Sequence, residues 1–253
     1  MNYILLSSHR KGHGVHSPFL YSLITNVFRK QISRDVVKNI ENIRKRMLSD
    51  PRILKVTDYG SGQGRGEKDL RQVRDIARIA PVNEKYGKLL AKLSGEYGRN
   101  CIIELGTSLG IGTMYLAAGA PGAVVHTIEG CPGIAEVASE NFKVAGYNNI
   151  TLHKGTFREV LDGFVKMNIV PGLIFIDGDH RGERMLEYFE KLYSLSSEGT
   201  VMVFDDIHNS KGMGEGWGKI MKDNRVTLSV DIFRMGLLFF RKGLTPASFI
   251  IRY

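Results

Sequence analysis

The sequence predicts an α/β fold in which a Rossmann-like, doubly wound, mostly parallel sheet of seven strands follows an N-terminal helical extension. From Asn100 onwards, short apolar segments alternate with amphipathic segments at the lengths of strands and helices. A glycine-rich turn joins the first of these strands to the first of these helices. The last two strand segments are separated by only Arg234 and Met235, so they can pair only as an antiparallel hairpin. We therefore expect one antiparallel strand in an otherwise parallel sheet.

Helices are predicted throughout the region that precedes the sheet. Ser17 followed by Pro18 is typical of a helix start, because serine caps free N–H groups and proline fits the first turn. Ser33 starts a second helix, which must end before Pro51. The predicted helices of this region span residues 18–29, 34–48, 67–79 and 84–93.

The remaining elements follow in a regular order along the chain. Apolar runs that end in turn residues predict strands, and amphipathic segments predict helices. Strands are predicted at 101–105, 123–128, 150–153, 172–176, 200–204, 226–233 and 236–241. Helices are predicted at 112–119, 132–145, 156–166, 182–195 and 215–224. Five strand–helix units followed by a closing pair of strands indicate a doubly wound sheet.

Composition restricts the class of protein. The chain has 253 residues, of which 43% are hydrophobic and 24% charged, as in globular proteins. Its apolar runs are shorter than the roughly 20 residues of a membrane span, and its N-terminus lacks the apolar core of a signal peptide. We therefore expect a cytoplasmic protein without membrane association, in which Cys101 and Cys131 are reduced and structural.

The excess positive charge is confined to the first part of the chain. Residues 1–98 contain 19 basic and 9 acidic residues, whereas residues 99–253 contain 16 and 17. This change predicts two domains, a basic and mainly helical cap at 1–98 and the α/β domain at 99–253. A basic segment attracts acidic small molecules or nucleic acid, although solvated helix faces have the same composition.

The glycine turn is the most informative functional motif. Its spacing, Glu104-x-Gly106-x-x-x-Gly110-x-Gly112, differs from the G-x-G-x-x-G spacing that places a pyrophosphate at a helix N-terminus. The spacing therefore argues against a nicotinamide-dependent dehydrogenase. A carboxylate at Glu104 would repel phosphate but suits a cationic ligand. S-adenosylmethionine is such a ligand, since it carries a sulfonium and an ammonium group and no phosphate.

Two other segments are interpreted as surface features. The glycine-rich segment 58–66 follows a short strand interrupted by Lys55 and precedes a segment rich in arginine and lysine, which would oppose a cationic ligand. We interpret it as a lid or a surface turn. The histidines near the N-terminus lack a neighbouring cysteine, so we interpret them as loop residues and not as a zinc site. These histidines are His9, His13 and His16.

Acidic residues follow three further predicted strands. Glu129 ends the second strand, where nucleotide-binding α/β folds place the acid that binds ribose hydroxyls. The segment 177–180 (Asp-Gly-Asp-His) follows a later strand, and Asp205 and Asp206 follow the next. Acids gathered at one crevice are unfavourable unless they bind a cation or are otherwise paired, and such hard oxygen ligands suit Mg²⁺ or Ca²⁺. Alternatively, Asp177 and the later pair face the cationic end of the cofactor or cap the following turns.

These motifs resemble a known family. Residues 101–112 resemble motif I of the class I S-adenosylmethionine-dependent methyltransferases, and the predicted sheet is similar to the fold of that family. The acids at 177 and 205–206 resemble the site of the metal-dependent O-methyltransferases of the catechol, caffeoyl-CoA and macrocin types. The resemblance covers residues 100–241. It departs at the second acidic pair, where plant and animal enzymes have Asp-Asn and this chain has Asp-Asp.

The resemblance implies a role for each motif residue. The residues implied to bind S-adenosyl-L-methionine are Glu104, Gly106, Thr107, Ser108, Gly110, Gly112, Glu129, Gly155, Thr156, Phe157 and Asp177. The residues implied to hold Mg²⁺ or another divalent cation are Asp177, Asp205 and Asp206. Asp179 or His180 is implied to act as general base. An ordinary strand–helix turn is an equal alternative for 155–157, and Trp217 either contacts the acceptor or anchors the packing.

We therefore expect a methyltransferase that modifies a hydroxyl group of a small molecule with the help of a divalent metal. An acidic acceptor would suit the basic cap. The alternative is a methyltransferase that acts on RNA or another polyanion recruited by residues 1–98, but aromatic residues for base stacking are not interleaved with the basic ones. A cofactor-binding protein without activity is a third possibility, which the acids at the strand ends oppose.

Overall fold

The computed structural model describes residues 17–57, 69–79 and 82–253. Helix α1 spans Pro18–Ser22 and continues as a π-helical segment over Leu23–Phe28, and α2 spans Arg34–Leu48. The predicted caps are present, because the side chains of Ser17 and Ser33 accept main-chain hydrogen bonds at the starts of these helices. The N-terminal histidines and the glycine-rich segment 58–66 lie outside the described residues.

The remaining elements form a small hairpin and a large sheet with its helices. A two-stranded antiparallel sheet is formed by β1 (Ile53–Val56) and β2 (Asp69–Gln72). The strands of the large sheet are β3 (Cys101–Leu105), β4 (Val124–Glu129), β5 (Ile150–Lys154), β6 (Leu173–Ile176), β7 (Val201–Phe204), β8 (Leu228–Asp231), β9 (Gly236–Phe239) and β10 (Ala247–Ile250). The helices are α3 (Val73–Ile79), α4 (Glu84–Tyr97), α5 (Ile111–Gly119), α6 (Pro132–Ala145), α7 (Phe157–Lys166), α8 (Gly182–Tyr193) and α9 (Lys211–Ile220).

The large sheet has the strand order β10-β8-β9-β7-β6-β3-β4-β5. Its strands are parallel except β9, which is antiparallel to both β7 and β8. From β3 the chain first proceeds to β4 and β5 on one side and then crosses to β6 and β7 on the other. The carboxyl ends of these strands therefore border one crevice at the point where the strand order reverses, which is where open α/β sheets bind ligands.

Apolar residues cover both faces of the sheet. Alternate residues of one strand face opposite sides, so Ile102 of β3 belongs to one buried cluster and Ile103 to the other. The first cluster also contains residues from α1, α2, α4 and α5, whereas the second contains residues from α7, α8 and α9. The helices before residue 98 thus share a core with the sheet. The domain boundary near residue 98 stays a prediction from composition.

The sheet has eight strands, one more than predicted. The extra strand, β10, pairs in parallel with β8 at the sheet edge, and it was missed because four residues, none of them fully buried, give a weak periodic signal. The predicted helix at 67–79 is also partly wrong. Residues 69–72 form β2 instead, because they pair with β1, and only 73–79 are helical. Here tertiary pairing outweighs local helical preference.

Helix α9 begins at Lys211, four residues earlier than predicted. Its glycines lower helix propensity, but they permit a close contact with α8. A β-carbon at Gly216 would lie 2.9 Å from the carbonyl oxygen of Gly182, and one at Gly182 would lie 2.0 Å from that of Gly212. The Ser210 side chain caps the helix by accepting a hydrogen bond from the N–H of Met213. Within the described ranges, we find no helix with the length and apolarity that crossing a membrane requires.

Candidate active site

The glycine loop between β3 and α5 lies against the carboxyl end of β6. Gly106 and Gly110 have φ values of +98° and +89°, a left-handed region that favours glycine. A β-carbon at Gly106 would lie 2.2 Å from the carbonyl oxygen of Asp177, and one at Gly110 would lie 2.4 Å from the ring of Phe142. Ser108, between them, also has a positive φ of 48°. The loop therefore requires these glycines for its shape and for its close approach to β6.

Glu104 is buried beneath the glycine loop. Its carboxylate accepts hydrogen bonds from the hydroxyls of Thr113 in α5 and Thr127 in β4, the latter at 2.6 Å. Thr107 joins this network through a hydroxyl contact with Thr127. Burial raises the pKa of the Glu104 carboxyl to about 7, against the lowering effect of the two hydroxyl donors. A β-carbon at Gly112 would lie 3.0 Å from this carboxylate, so Glu104 also supports the start of α5.

Glu129 borders the loop from the end of β4. One carboxylate oxygen accepts the N–H of Ser108 at 2.9 Å, and the other accepts the N–H of Cys131 at 2.9 Å. Burial raises the pKa of Glu129, although hydrogen bonding to the main chain opposes this. Each oxygen accepts one of these bonds and can accept another. Glu129 can therefore bind hydroxyl groups of a ligand that lies on the loop.

Residues 155–157 form a strand–helix turn that contacts the same crevice. Thr156 caps α7 in a capping box with Glu159, which accounts for its side chain without a ligand. The N–H of Gly155 donates to the carbonyl oxygen of Glu129. The Phe157 ring lies 5.5 Å from that of Tyr188 and would be 2.7 Å from a β-carbon at Gly178. The turn is thus tied to both Glu129 and the segment after β6.

The acids after β6 and β7 surround an arginine. The Arg234 Nε and Nη2 atoms donate to both carboxylate oxygens of the fully buried Asp205, at 2.7–3.2 Å. Arg234 Nε also lies 3.6 Å from Asp206, which has a positive φ of 53°. Asp177 is mostly buried, and burial together with the Asp205 charge raises its pKa well above the ordinary value, against the lowering effect of Arg234.

This arrangement does not fit the predicted divalent metal. A metal held by Asp177, Asp205 and Asp206 needs free carboxylate lone pairs and no competing cation, but three hydrogen bonds from the Arg234 guanidinium occupy most of the lone pairs of Asp205. Among the residues that the structure describes, no group of three or more His, Cys, Asp or Glu side chains is arranged to hold an ion. The sequence prediction missed this pairing because Arg234 lies in the turn between β8 and β9, 29 residues from Asp205.

The two residues predicted as general base differ in side-chain exposure and in hydrogen bonding. Asp179 is bound by the side chains of Arg181 and Tyr188, and its own side chain is only 6% exposed. The His180 side chain is 39% exposed, and its Nε2 atom lies 4.0 Å from Asp177. His180 is therefore the better proton acceptor of the two.

Two further features were missed or left open by the sequence. The Nε2 atom of His208, after β7, lies 2.7 Å from the buried Asp231 carboxylate at the end of β8. The sequence gives no sign of this pair, because the two residues meet only through the pairing of the strands. Trp217 is 1% exposed and packs against Phe204, so it anchors the packing.

Comparison with known proteins agrees with this geometry. Residues 103–207, from β3 to the loop after β7, match a family model described as a methyltransferase domain. A catechol O-methyltransferase of Mycobacterium tuberculosis (strain ATCC 25618 / H37Rv) is 32% identical over 141 residues, which cover 55% of this chain and 62% of the relative. A catechol O-methyltransferase of Niastella koreensis is 31% identical over 150 residues, which cover 58% and 62%. The chain thus spans about 62% of the length of these curated relatives.

A solved structure supports the fold assignment. The O-methyltransferase from Bacillus cereus in complex with SAH matches with a TM-score of 0.57 and 21% identity, over 87% of this chain and 96% of that protein. At this identity the likeness shows the fold alone. The motif resemblance found in the sequence is confirmed by the domain match and by the two curated relatives. Residues 103–207 thus match a methyltransferase domain, and the chain is similar to catechol O-methyltransferases over 55–58% of its length.

Proposed function

We propose that this protein transfers a methyl group from S-adenosylmethionine to a hydroxyl oxygen of a small, catechol-like molecule. The observation that carries the proposal is the glycine loop, which lies between the Glu129 carboxylate and the carbonyl group of Asp177. Both curated relatives are named catechol O-methyltransferases, which supports a hydroxylated aromatic acceptor.

The charges around the loop suit a cationic ligand. Glu104, Glu129 and Asp177 place three carboxyl groups beside the loop, and burial raises the pKa of each. A cation bound there would offset the unfavourable burial of these charges. When bound, S-adenosylmethionine supplies a methyl group on a positively charged sulfur, and the electrons of the broken S–C bond remain on that sulfur. These residues therefore fit the methyl donor that the family uses.

The binding residues follow from their hydrogen-bonding capacity. We assign Glu129 to the ribose hydroxyls, because each of its oxygens can accept a further hydrogen bond. We assign the main chain at Gly106, Thr107 and Ser108 to the contact surface of the loop. Glu104 supports that surface from below through Thr113 and Thr127.

His180 is the proposed proton acceptor for the acceptor hydroxyl. As the new C–O bond forms, the hydroxyl loses its proton, which passes to the imidazole. The nearby Asp177 carboxylate, 4.0 Å from His180 Nε2, would stabilise the resulting imidazolium. Asp179 would act instead by holding its own turn, since Arg181 and Tyr188 both bind it.

A basic groove favours an acceptor that carries an acidic group. The groove has a volume of about 900 Å³ and includes residues of α1, α4 and the C-terminal segment. Its cationic lining residues are Arg29, Lys85, Lys88, Lys92 and Arg252, and they outnumber the one acidic side chain among the described lining residues, Glu84, which pairs with Lys88. Tyr86 links the groove to the acidic crevice, because its ring lies 5.5 Å from the Arg234 guanidinium and 6.0 Å from the ring of Tyr253. A higher kcat/KM for a carboxylated catechol than for catechol, reduced in R252Q, would support this.

Calorimetry and a transfer assay test the proposed function. We expect S-adenosylmethionine and S-adenosylhomocysteine to bind and NAD not to bind. E129Q should weaken binding by roughly 10- to 100-fold, because it loses hydrogen bonds to a charged acceptor, whereas the surface variant E136Q should bind normally. Labelled methyl transfer is then measured to catechol, to a carboxylated catechol and to RNA. If neither adenosyl ligand binds, the proposal is refuted. If methyl transfer occurs only to RNA, the acceptor is RNA and not a small molecule.

A further inference from the structure

The position predicted for a metal is bordered by a side chain that already carries a positive charge. The Arg234 guanidinium binds Asp205 through two nitrogen atoms and lies 3.6 Å from Asp206. Paired nitrogen donors on one carboxylate are the most directional form of an arginine–carboxylate contact. The Arg234 side chain is only 25% exposed, and Asp205 is fully buried. The pair is therefore part of the crevice and not a surface ion pair.

Several neighbours hold Arg234 in this position. Its main-chain N–H donates to Ile232 within the turn between β8 and β9. Its carbonyl oxygen accepts the N–H of Ile207, which directly follows the acidic pair. The guanidinium lies over the ring of Tyr86 at 5.5 Å, a cation–π contact. The hairpin, the loop after β7 and α4 thus all contribute to the position of one cation.

The guanidinium and a divalent ion would compete for the same carboxylate oxygens. Magnesium requires hard oxygen ligands in a nearly octahedral arrangement, and both oxygens of Asp205 already accept hydrogen bonds from Arg234. A second cation beside Asp205 and Asp206 would also be repelled by the guanidinium at short range. Ion binding would therefore first require Arg234 to leave Asp205.

We propose that Arg234 acts in place of a divalent metal, as a built-in cation that holds the acidic strand ends and stabilises the oxygen of the methyl acceptor. This inference rests on the proposed O-methyltransferase function. The Nε and Nη2 atoms of Arg234 donate hydrogen bonds to Asp205. Among the described residues, no hydrogen-bond partner is found for its Nη1 atom. The two N–H groups of Nη1 can donate to the acceptor oxygen as its proton leaves.

The methyl step balances without a further reactant. The acceptor oxygen forms a bond to the methyl carbon, the S–C bond breaks, and its electron pair remains on sulfur. The acceptor proton passes to His180. Arg234 stays protonated throughout, because an arginine paired with carboxylates does not release its proton at neutral pH. Its role is to favour the ionised form of the acceptor hydroxyl.

Metal binding and activity are measured separately for the full chain. The variants are R234Q, R234K and a control, R225Q. Arg225 suits the control because it also binds two acids, Asp223 and Glu190, but outside the crevice. Mn²⁺ binding is followed by electron paramagnetic resonance with S-adenosylhomocysteine present. Wild type and R225Q should bind Mn²⁺ weakly, whereas R234Q should bind it roughly tenfold more tightly or better, since its acids are released. D205N in the R234Q background should abolish that gain.

Activity of the metal-stripped enzyme gives the second readout. Wild type should retain its full rate in EDTA, and the rate of R234Q should rise at higher pH, because the acceptor must then ionise without help. R234K should restore part of the rate at neutral pH. Tight Mn²⁺ binding by wild type, or a rate lost in EDTA and restored by Mg²⁺, would overturn the inference and leave the proposed function standing.

The Mn²⁺ measurement tests the role of Arg234 even if no acceptor is methylated or R234Q does not fold. If no acceptor is methylated, the proposed function fails, but the Mn²⁺ experiment still decides whether Arg234 excludes a divalent ion. If R234Q does not fold, as judged by circular dichroism, R234K and wild type remain. Their Mn²⁺ affinities are then compared with that of D205N. Wild type that binds Mn²⁺ clearly more tightly than D205N counts against the inference, whereas wild type that binds Mn²⁺ no more tightly than D205N supports it.

Discussion

A β-carbon at Gly106 would lie 2.2 Å from the main-chain carbonyl oxygen of Asp177. The glycine loop and the acidic end of β6 are therefore in direct contact. This contact aligns the surface assigned to the methyl donor with the groups assigned to the acceptor. A change at Gly106 alters both the loop and the segment that carries His180.

The variant G106A should be strongly destabilised. Its φ of +98° costs a side chain about 1–3 kcal/mol, and the clash with Asp177 adds to this. G146A is the matched control, because Gly146 also has a positive φ, +79°, but a β-carbon there meets no atom within 4 Å. Urea unfolding should show a clearly larger loss for G106A than for G146A. Equal losses would mean that the contact with Asp177 relaxes at little cost.

The variant E104Q should remove a pH dependence of stability. The pKa of Glu104 is about 7 in the folded protein, whereas an unfolded glutamate has its ordinary value of 4.5. Between these values the folded state binds more protons than the unfolded state, so the free energy of unfolding falls as pH rises. The full fall is roughly 3 kcal/mol. Glu104 thus stabilises the protein most below pH 4.5, and this contribution is lost above pH 7.

Chemical denaturation at a series of pH values from 4.5 to 8 checks this prediction. Relative to wild type, E104Q should have an unfolding free energy that increases as pH rises. The surface variant E136Q corrects for the general effect of removing one carboxyl group. A constant difference across the series would show that folding does not raise the pKa of Glu104.

The sequence predicted the elements with strong local patterns and missed those that depend on distant contacts. The acid after each strand could be located because a strand end is visible from its neighbours, as at Glu129 and Asp205. The sequence could not reveal what those acids touch. Asp205 meets Arg234 only because β9 pairs with β7 and β8, and Glu104 meets Thr127 only because β3 pairs with β4. The predicted roles of these acids therefore required the register of the sheet.

The variant T156A should lower stability and leave cofactor binding unchanged. Thr156 caps α7 and shares hydrogen bonds with Glu159, so its loss should cost about 1 kcal/mol. T156S retains the hydroxyl and should restore most of the stability. Calorimetry with S-adenosylhomocysteine decides between the two roles of this residue. A tenfold weaker affinity of T156A would assign Thr156 to the adenosyl site and not only to the helix cap.

The variants H180Q and D179N should differ in how strongly they lower stability and rate. His180 is partly exposed beside Asp177, so H180Q should keep its stability and its affinity for S-adenosylhomocysteine while kcat falls by roughly 10²- to 10⁴-fold. Asp179 is held by Arg181 and Tyr188, so D179N should lower the unfolding temperature, and its kcat should fall less. A kcat of H180Q close to that of wild type would transfer the role of base to another group, of which His208, paired with Asp231, is the next to be tested.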